Sequence, residues 1–204
     1  MHRDPRTEPR PDDAAPVGRR AVVLVEGLSD RNALVRLAAR QGRDLVAEGV
    51  AVVAMGGATN IRRYLEEYGP NGRAVRLAGL CDLGEERFIR RSLERAGLGS
   101  MPDRATLESR GFFVCEADLE DELIRALGVS EVERVIDEQG ELASLRILQK
   151  QPAQLGRSAQ AQLRRFMGTR SGRKHHYASV LVDALDLGRV PRPLEAVLAH
   201  VAGG

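Results

Sequence analysis

Apolar and polar positions along the chain follow two alternating periods, and the switches between them outline a fold. Residues 21–25, AVVLV, form an unbroken, mostly β-branched run that reads as a short buried strand. From residue 30 to 41 apolar positions recur at helical spacing, with Ser29 as the expected N-cap and Gly42 as the expected stop. The same pair of signals returns three times. Strands are expected at 50–55, 74–82 and 111–116, and helices at TNIRRYLEEYG, EERFIRRSLERAG and ADLEDELIRALG. Such alternation argues for an α/β fold: a mostly parallel four-stranded sheet with flanking helices, joined by right-handed crossovers. These elements define a domain over 20–128. Beyond it the pattern is helical, with breaks near Gly140, Pro152, Gly168 and Pro191, so a helical C-terminal extension is expected over 129–204. Residues 1–19 carry four prolines and many charges and read as a disordered lead-in.

Composition changes this picture little. An apolar fraction of 43% in 204 residues suffices for a real core. No apolar run approaches the length of a membrane span, so no membrane partner is expected. The two cysteines, Cys81 and Cys115, form no CxxC and point to reduced thiols in a cytoplasmic protein. The net charge of +2 hides an uneven distribution. Residues 116–141 hold ten Asp and Glu against two Arg. Residues 142–176 hold no acid, against Arg146, Lys150, Arg157, Arg164, Arg165, Arg170, Arg173 and Lys174. Such a basic stretch is either a footprint for a phosphate backbone or a helix face paired with the acidic stretch of the same chain. His175 and His176 lack the spacing and third ligand of a metal site and read as a polar pair near a helix start.

Ligands of a parallel α/β sheet bind outside the carboxyl ends of its strands. Carboxylates gather at that edge: Glu26 after the first strand with Asp30 behind it, Asp82 after the third with Glu85 and Glu86, and Glu116 to Glu122 after the fourth. Converging carboxylates repel one another unless a cation sits among them. Hard oxygen ligands without Cys or His favour Mg²⁺ or Mn²⁺. Each residue also has a plainer use. Asp30, Glu85 and Glu86 suit a helix's first turn, and only one of Glu116 and Glu120 need be a ligand. Gly56-Gly57 ends the second strand, as a turn or as an approach for phosphate.

The ordered set VLVEGLSDRNALVRLA, GGATNIRRY, LCDLGEER and DLEDELIRALG resembles the TOPRIM domain, in the form found in the overcoming-lysogenization-defect (OLD) family nucleases. The likeness spans about residues 20–128, and more loosely GRKHHYASVLVDAL at 172–185. It implies a TOPRIM-like, Rossmannoid sheet and a Mg²⁺ or Mn²⁺ site. By that resemblance Glu26, Asp30, Asp82 and Glu120 are the metal residues. Glu26, Asp82 and Lys174 become the catalytic ones, Lys174 standing near the scissile phosphate with Arg173 as its competitor. Arg157, Arg164, Arg165, Arg170, Arg173 and Lys174 become the nucleic-acid contacts. Two features depart from the family. The second aspartate of D-x-D is absent, since the chain reads Asp82-Leu83-Gly84, with Glu85 or Glu86 as its candidate replacement. No G-x-x-x-x-G-K-[ST] loop is present, so any ATP dependence falls to a separate ATPase subunit. The expected function is Mg²⁺-dependent cleavage of nucleic acid, DNA ahead of RNA. The alternative is a catalytically weak binding or regulatory subunit, with homodimer formation open in either case.

Overall fold

The fold is given by a computed structural model that describes residues 20–170 and 172–202. The expected lead-in over 1–19 lies outside the described residues. Four strands form one parallel sheet: β1 (Ala21–Val25), β2 (Val50–Ala54), β3 (Arg76–Asp82) and β4 (Phe112–Cys115), in the order β2-β1-β3-β4. The first crossover, helix α1 (Leu28–Arg40), carries the chain from β1 to β2 on one side. The second, helix α2 (Ile61–Tyr68), carries it back past β1 to β3 on the other. The direction of winding therefore reverses between β1 and β3, which makes their carboxyl ends the topological switch point.

Alternation along the strands assigns two cores. Ala21, Val23, Val25, Ala78, Leu80, Phe113 and Cys115 face α1 and the later helices. Val22, Leu24, Leu77, Cys81, Phe112 and Val114 face α2, α3 (Glu86–Arg95) and α4 (Arg104–Ser109). The remaining helices are α5 (Leu119–Leu127), α6 (Val129–Glu138), α7 (Leu142–Gln149), α8 (Ala159–Met167), α9 (Arg173–Ala184) and α10 (Arg192–Ala202). All six send buried side chains into the core that α1 shares. Helix α9 lies along α1, where Arg40 donates to the Val182 and Leu185 carbonyls at 2.6 and 2.7 Å. Those carbonyls lie at the end of α9, where Val182 also accepts from the Leu185 amide at 3.2 Å, and the guanidinium ties this end of the helix to α1. Among the described residues, no helix is long and apolar enough to cross a membrane.

Two boundaries and one helix differ from expectation for identifiable reasons. Helix α1 starts at Leu28 with Gly27, not Ser29, as N-cap. The Asp30 carboxylate accepts the Gly27 amide at 2.8 Å, and capturing that first free N–H begins the helix earlier. Strand β3 begins at Arg76, because Ala74 occupies the left-handed region (φ 50°) and prolongs the turn. Helix α4 was not expected. Asp103 caps it by accepting the Thr106 amide at 2.8 Å.

Candidate functional site

Because β1 and β3 are neighbours in register, their ends deliver Glu26 and Asp82 to adjacent positions at the switch point. Asp82 continues the face that carries Ala78 and Leu80, toward α1 and α5. Glu26 continues the face of Val22 and Leu24, toward α3. The first turn of α1 adds Asp30, and that of α5 adds Glu120, which is 1% exposed. Helix α9 contributes Lys174, whose ammonium sits 3.0 Å from Glu120. Five residues from five elements, Glu26, Asp30, Asp82, Glu120 and Lys174, thus meet at one edge of the sheet.

Two further acids take part, one of them chosen from the sequence candidates. After Asp82 the chain makes a single 3₁₀ turn, Leu83–Glu85, and turns the Glu85 carboxyl against that of Glu26. Glu86 points elsewhere, held by Arg104 at 2.6 Å and Arg90 at 3.7 Å. At β4, α5 begins only at Leu119, so Glu116 and Glu120 do not share a helical face. Glu116 is exposed and paired with Arg125. Asp118 was not singled out as a site residue, yet it stands close enough to raise Asp82 and Glu120. It also caps α5 through the Asp121 amide at 2.9 Å, and Arg164 neutralises it at 2.6 Å. The motif reader's cue for it is the Asp-x-x-Asp spacing of an N-cap.

The electrostatics are those of crowded acids. Burial, then Glu26, Asp118, Asp30 and Glu85, push the Asp82 carboxyl up to about 7. Burial and Glu26 push Glu85 up to about 7. Asp30 rises to about 6 through burial, against the Gly27 hydrogen bond and with Glu120 and Glu26 adding to it. Burial raises Glu120 despite Lys174. Burial pulls the Lys174 ammonium down, but Glu120, Asp118 and Asp30 carry it above the ordinary lysine range. In Asp30, Asp82, Glu85 and Glu120 burial is the largest cause, and neighbouring negative charge adds to it.

These residues suit a hard dication by chemistry. Every donor is a carboxylate oxygen. Two buried oxygens, Glu85 Oε2 and Glu120 Oε1, have no hydrogen-bond partner. A buried carboxylate oxygen left unpaired is costly and calls for a proton or a cation. Among the described residues, no group of three or more His, Cys, Asp or Glu is arranged as a ready-made ion cage. The edge gathers the donors without closing them around a point.

The basic stretch largely pairs with the acidic one. Arg146 binds Glu133, Arg164 binds Asp118, Arg170 and Arg173 bind Glu141, and Lys174 binds Glu120. Arg173 is 7% exposed. It also donates to Thr169 and the Phe166 carbonyl and stacks 4.0 Å from the Phe166 ring. Its donors therefore face inward, and it does not compete with Lys174 for the site. Arg157 and Arg165 are exposed, with no ion pair among the described residues. Helix α3 offers a row that sequence reasoning passed over. Arg87, Arg91 and Arg95 recur every four residues on one exposed face, also without an ion pair among the described residues. Arg87 and Arg91 line a shallow groove of about 460 Å³ that reaches Leu83, two residues from Glu85. The glutamates interspersed along α3 masked this row in the local charge. His176, exposed, contacts Gln139 at 2.8 Å, as suits a polar surface residue.

A family model for the overcoming lysogenization defect protein-like TOPRIM domain matches residues 19–76. That span holds Glu26 and Asp30 and ends at the first residue of β3. No protein of curated function matches the chain. The C-terminal region of the Xanthomonas campestris pv. campestris OLD protein, phased with platinum, is 27% identical, with a TM-score of 0.67 over 89% of this chain and 91% of that one. The same region phased with mercury gives 26% identity and a TM-score of 0.66, over 89% and 94%. The C-terminal region of the Burkholderia pseudomallei OLD protein, at 22% identity, shares the fold with a TM-score of 0.67, over 91% and 98%. Motif, sheet order and these likenesses agree: over residues 19–76 the chain matches an OLD-like TOPRIM domain, a kind of domain that generally binds divalent metal, and its fold is that of the C-terminal regions of OLD proteins.

Proposed function

We propose that this chain hydrolyses phosphodiester bonds of nucleic acid, DNA in preference to RNA, with Mg²⁺ or Mn²⁺ as cofactor. The observation that carries this reading is the set of carboxylates gathered at the β1–β3 switch point, which includes the buried Glu120 Oε1 without a hydrogen-bond partner. Glu26, Asp30, Asp82 and Glu120 would hold the ion. When bound, it supplies Lewis-acid activation of water and neutralises charge developing on the phosphate. The chain's own groups do the rest. Lys174, half-exposed and tethered to Glu120, is placed to exchange that partner for a phosphate oxygen. Arg157 and Arg165, together with the α3 arginines, position the backbone without reading its sequence. Both cysteines are free and buried, which accords with the cytoplasmic setting proposed.

The test is cleavage of supercoiled plasmid with Mg²⁺ or Mn²⁺, with Glu26→Gln and Asp82→Asn as controls. Nicking by wild type and loss in both variants is the expected result; identical behaviour of all three proteins refutes the reading. A second reading, a binding or regulatory subunit acting with a separate ATPase, draws on the Asp82-Leu83-Gly84 departure. It predicts salt-sensitive nucleic-acid binding that survives Asp82→Asn without any cleavage.

A further inference from the structure

We propose that the outer face of α3 holds an unpaired stretch of DNA beside the site, its phosphates on Arg87, Arg91 and Arg95 and one base stacked on the ring of Phe88. The inference rests on the reading above for DNA as the polymer, and adds the form of DNA that this surface takes. At 3.6 residues per turn, the four side chains lie within about 100° of arc, opposite the buried Ile89 and Leu93. Helix α3 carries four arginines and two glutamates, and its contacts divide them by side. Glu94 accepts the Met101 amide at 2.7 Å, and Arg90 donates to the Met101 carbonyl at 2.7 Å. Glu86 is held by Arg104 at 2.6 Å. Both acids are therefore engaged with the segment that leads into and begins α4. Arg87, Arg91 and Arg95 are exposed and have no ion pair among the described residues.

Phe88 is the observation that points to unpaired bases. The chain has four phenylalanines, and Phe112, Phe113 and Phe166 are buried. Phe88 is 41% exposed and makes no ring contact among the described residues. Arg91 and Arg95 follow it one and two turns along the helix, so the ring flanks the basic row. A duplex backbone has no use for such a ring, because its bases are stacked on one another and closed to a side chain. A single strand offers the flat face of each base, and aromatic rings beside a basic track hold single strands in this way. The arginine spacing fits as well. Four residues of helix advance about 6 Å, close to the step of one nucleotide in an extended strand, so each arginine meets its own phosphate. The row begins at Arg87, five residues past Asp82, and the groove it lines reaches Leu83, the neighbour of Asp82. A strand lying on α3 is thereby led to the carboxylate edge.

The test is binding in EDTA, where no cleavage intervenes, read by fluorescence anisotropy with labelled oligothymidine and a duplex of the same length. Phe88→Ala and Phe88→Leu should each weaken oligothymidine binding about tenfold and leave duplex binding unchanged, while Phe88→Tyr should bind as wild type. Phe88 is a surface residue, so these variants should melt with wild type. Arg87→Ala/Arg91→Ala/Arg95→Ala should lower the salt slope of log K for oligothymidine by roughly 2. The chain has no tryptophan, so Phe88→Trp supplies a single emitter, and saturating oligothymidine should quench it. Unquenched emission, or equal losses of oligothymidine and duplex binding in Phe88→Ala, overturns the inference. If the wild type still nicks plasmid in that case, the nuclease reading stands without it. Tighter binding of oligouridine than of oligothymidine overturns the choice of DNA. Polyglutamate bound as tightly as oligothymidine, with no dependence on Phe88, overturns it in favour of an acidic protein partner. Quenching by oligothymidine in a protein that nicks nothing supports the inference and removes the nuclease reading. If wild type binds neither oligothymidine nor duplex, both fail.

Discussion

Asp82 sits where its charge is least welcome, and that leaves a trace in stability. Burial and four neighbouring acids raise its folded-state affinity for a proton to about 7, well above an unfolded aspartate. A carboxyl with a raised folded pKa binds more protons folded than unfolded, so its contribution is fully present at low pH and is lost as pH rises through the folded value. Asp30, Glu85 and Glu120 shift the same way. The metal-free protein should therefore melt at lower temperature near about pH 8 than near about pH 5. Asp82→Asn should melt higher than wild type at the upper pH and lose that advantage at the lower. Calorimetry in EDTA across this range checks it, and a pH-independent difference between the two proteins would contradict it. Arg173 makes the opposite case. Its buried guanidinium joins Glu141, Thr169, the Phe166 carbonyl and the Phe166 ring. Arg173→Ala leaves Glu141 with the Tyr177 hydroxyl and the distant Arg170 and should cost about 3 kcal/mol. Urea melts of Arg173→Ala and Arg165→Ala separate the two arginines, because Arg165 is exposed and its loss should leave the midpoint within about 0.5 kcal/mol of wild type.

At the scale of elements, charge in the sequence and charge at the surface are different quantities. The acidic and basic stretches that looked like a site and its phosphate footprint are chiefly α5–α6 and α7–α9 packed together and neutralising each other. Unspent cations remain on α3. Arg87→Ala/Arg91→Ala should weaken binding to duplex DNA and reduce the salt slope of log K by roughly 2, with the melting temperature unchanged. Fluorescence anisotropy over a salt series reads both quantities, and an unchanged slope would remove α3 from the backbone track. The strands and helices were legible because each carries its own period, and Glu26, Asp30, Asp82, Glu120 and Lys174 were legible through motif. Pairing across elements was not legible. Nothing local reveals that Arg173 turns inward onto Glu141, 32 positions away, or that Glu86 is held by Arg104, 18 positions on. The 3₁₀ turn after Asp82 was hidden for another reason. Leu83-Gly84 is compatible with both a continued strand and a turn, and nothing local decides between them. Close packing was equally invisible in Gly79. A Cβ there would stand 2.6 Å from the Phe112 ring and 3.0 Å from the Leu24 carbonyl, so the glycine lets β1, β3 and β4 pack across the sheet's centre.

For the molecule as a whole, the crowded acids of the switch point oppose the metal-free fold, and a cation bound there would reinforce it. The acids that meet there come from the end of β1, α1, the end of β3 and α5, segments far apart in sequence and otherwise joined through the apolar core. Their repulsion works against the packing that brings them together, and an ion binding only the folded state reverses that sign. Proton and metal compete for the same oxygens, so the effect must grow as pH rises through the shifted values of Asp30 and Asp82. At a Mn²⁺ concentration of about 100 times Kd, the folded state gains about 2.7 kcal/mol. In a chain of this size each kcal/mol is worth about 2–4 °C, so the melting temperature should climb by roughly 5–10 °C near about pH 8. At about pH 5 the gain should nearly vanish, because protons hold the sites the ion needs. Asp82→Asn, already relieved of part of the repulsion, should start higher in EDTA and gain little from Mn²⁺ at either pH. Thermal melts with and without Mn²⁺ at the two pH values measure all four quantities. A Mn²⁺ gain that was equal at both pH values, or retained in Asp82→Asn, would place the ion somewhere other than the β1–β3 edge.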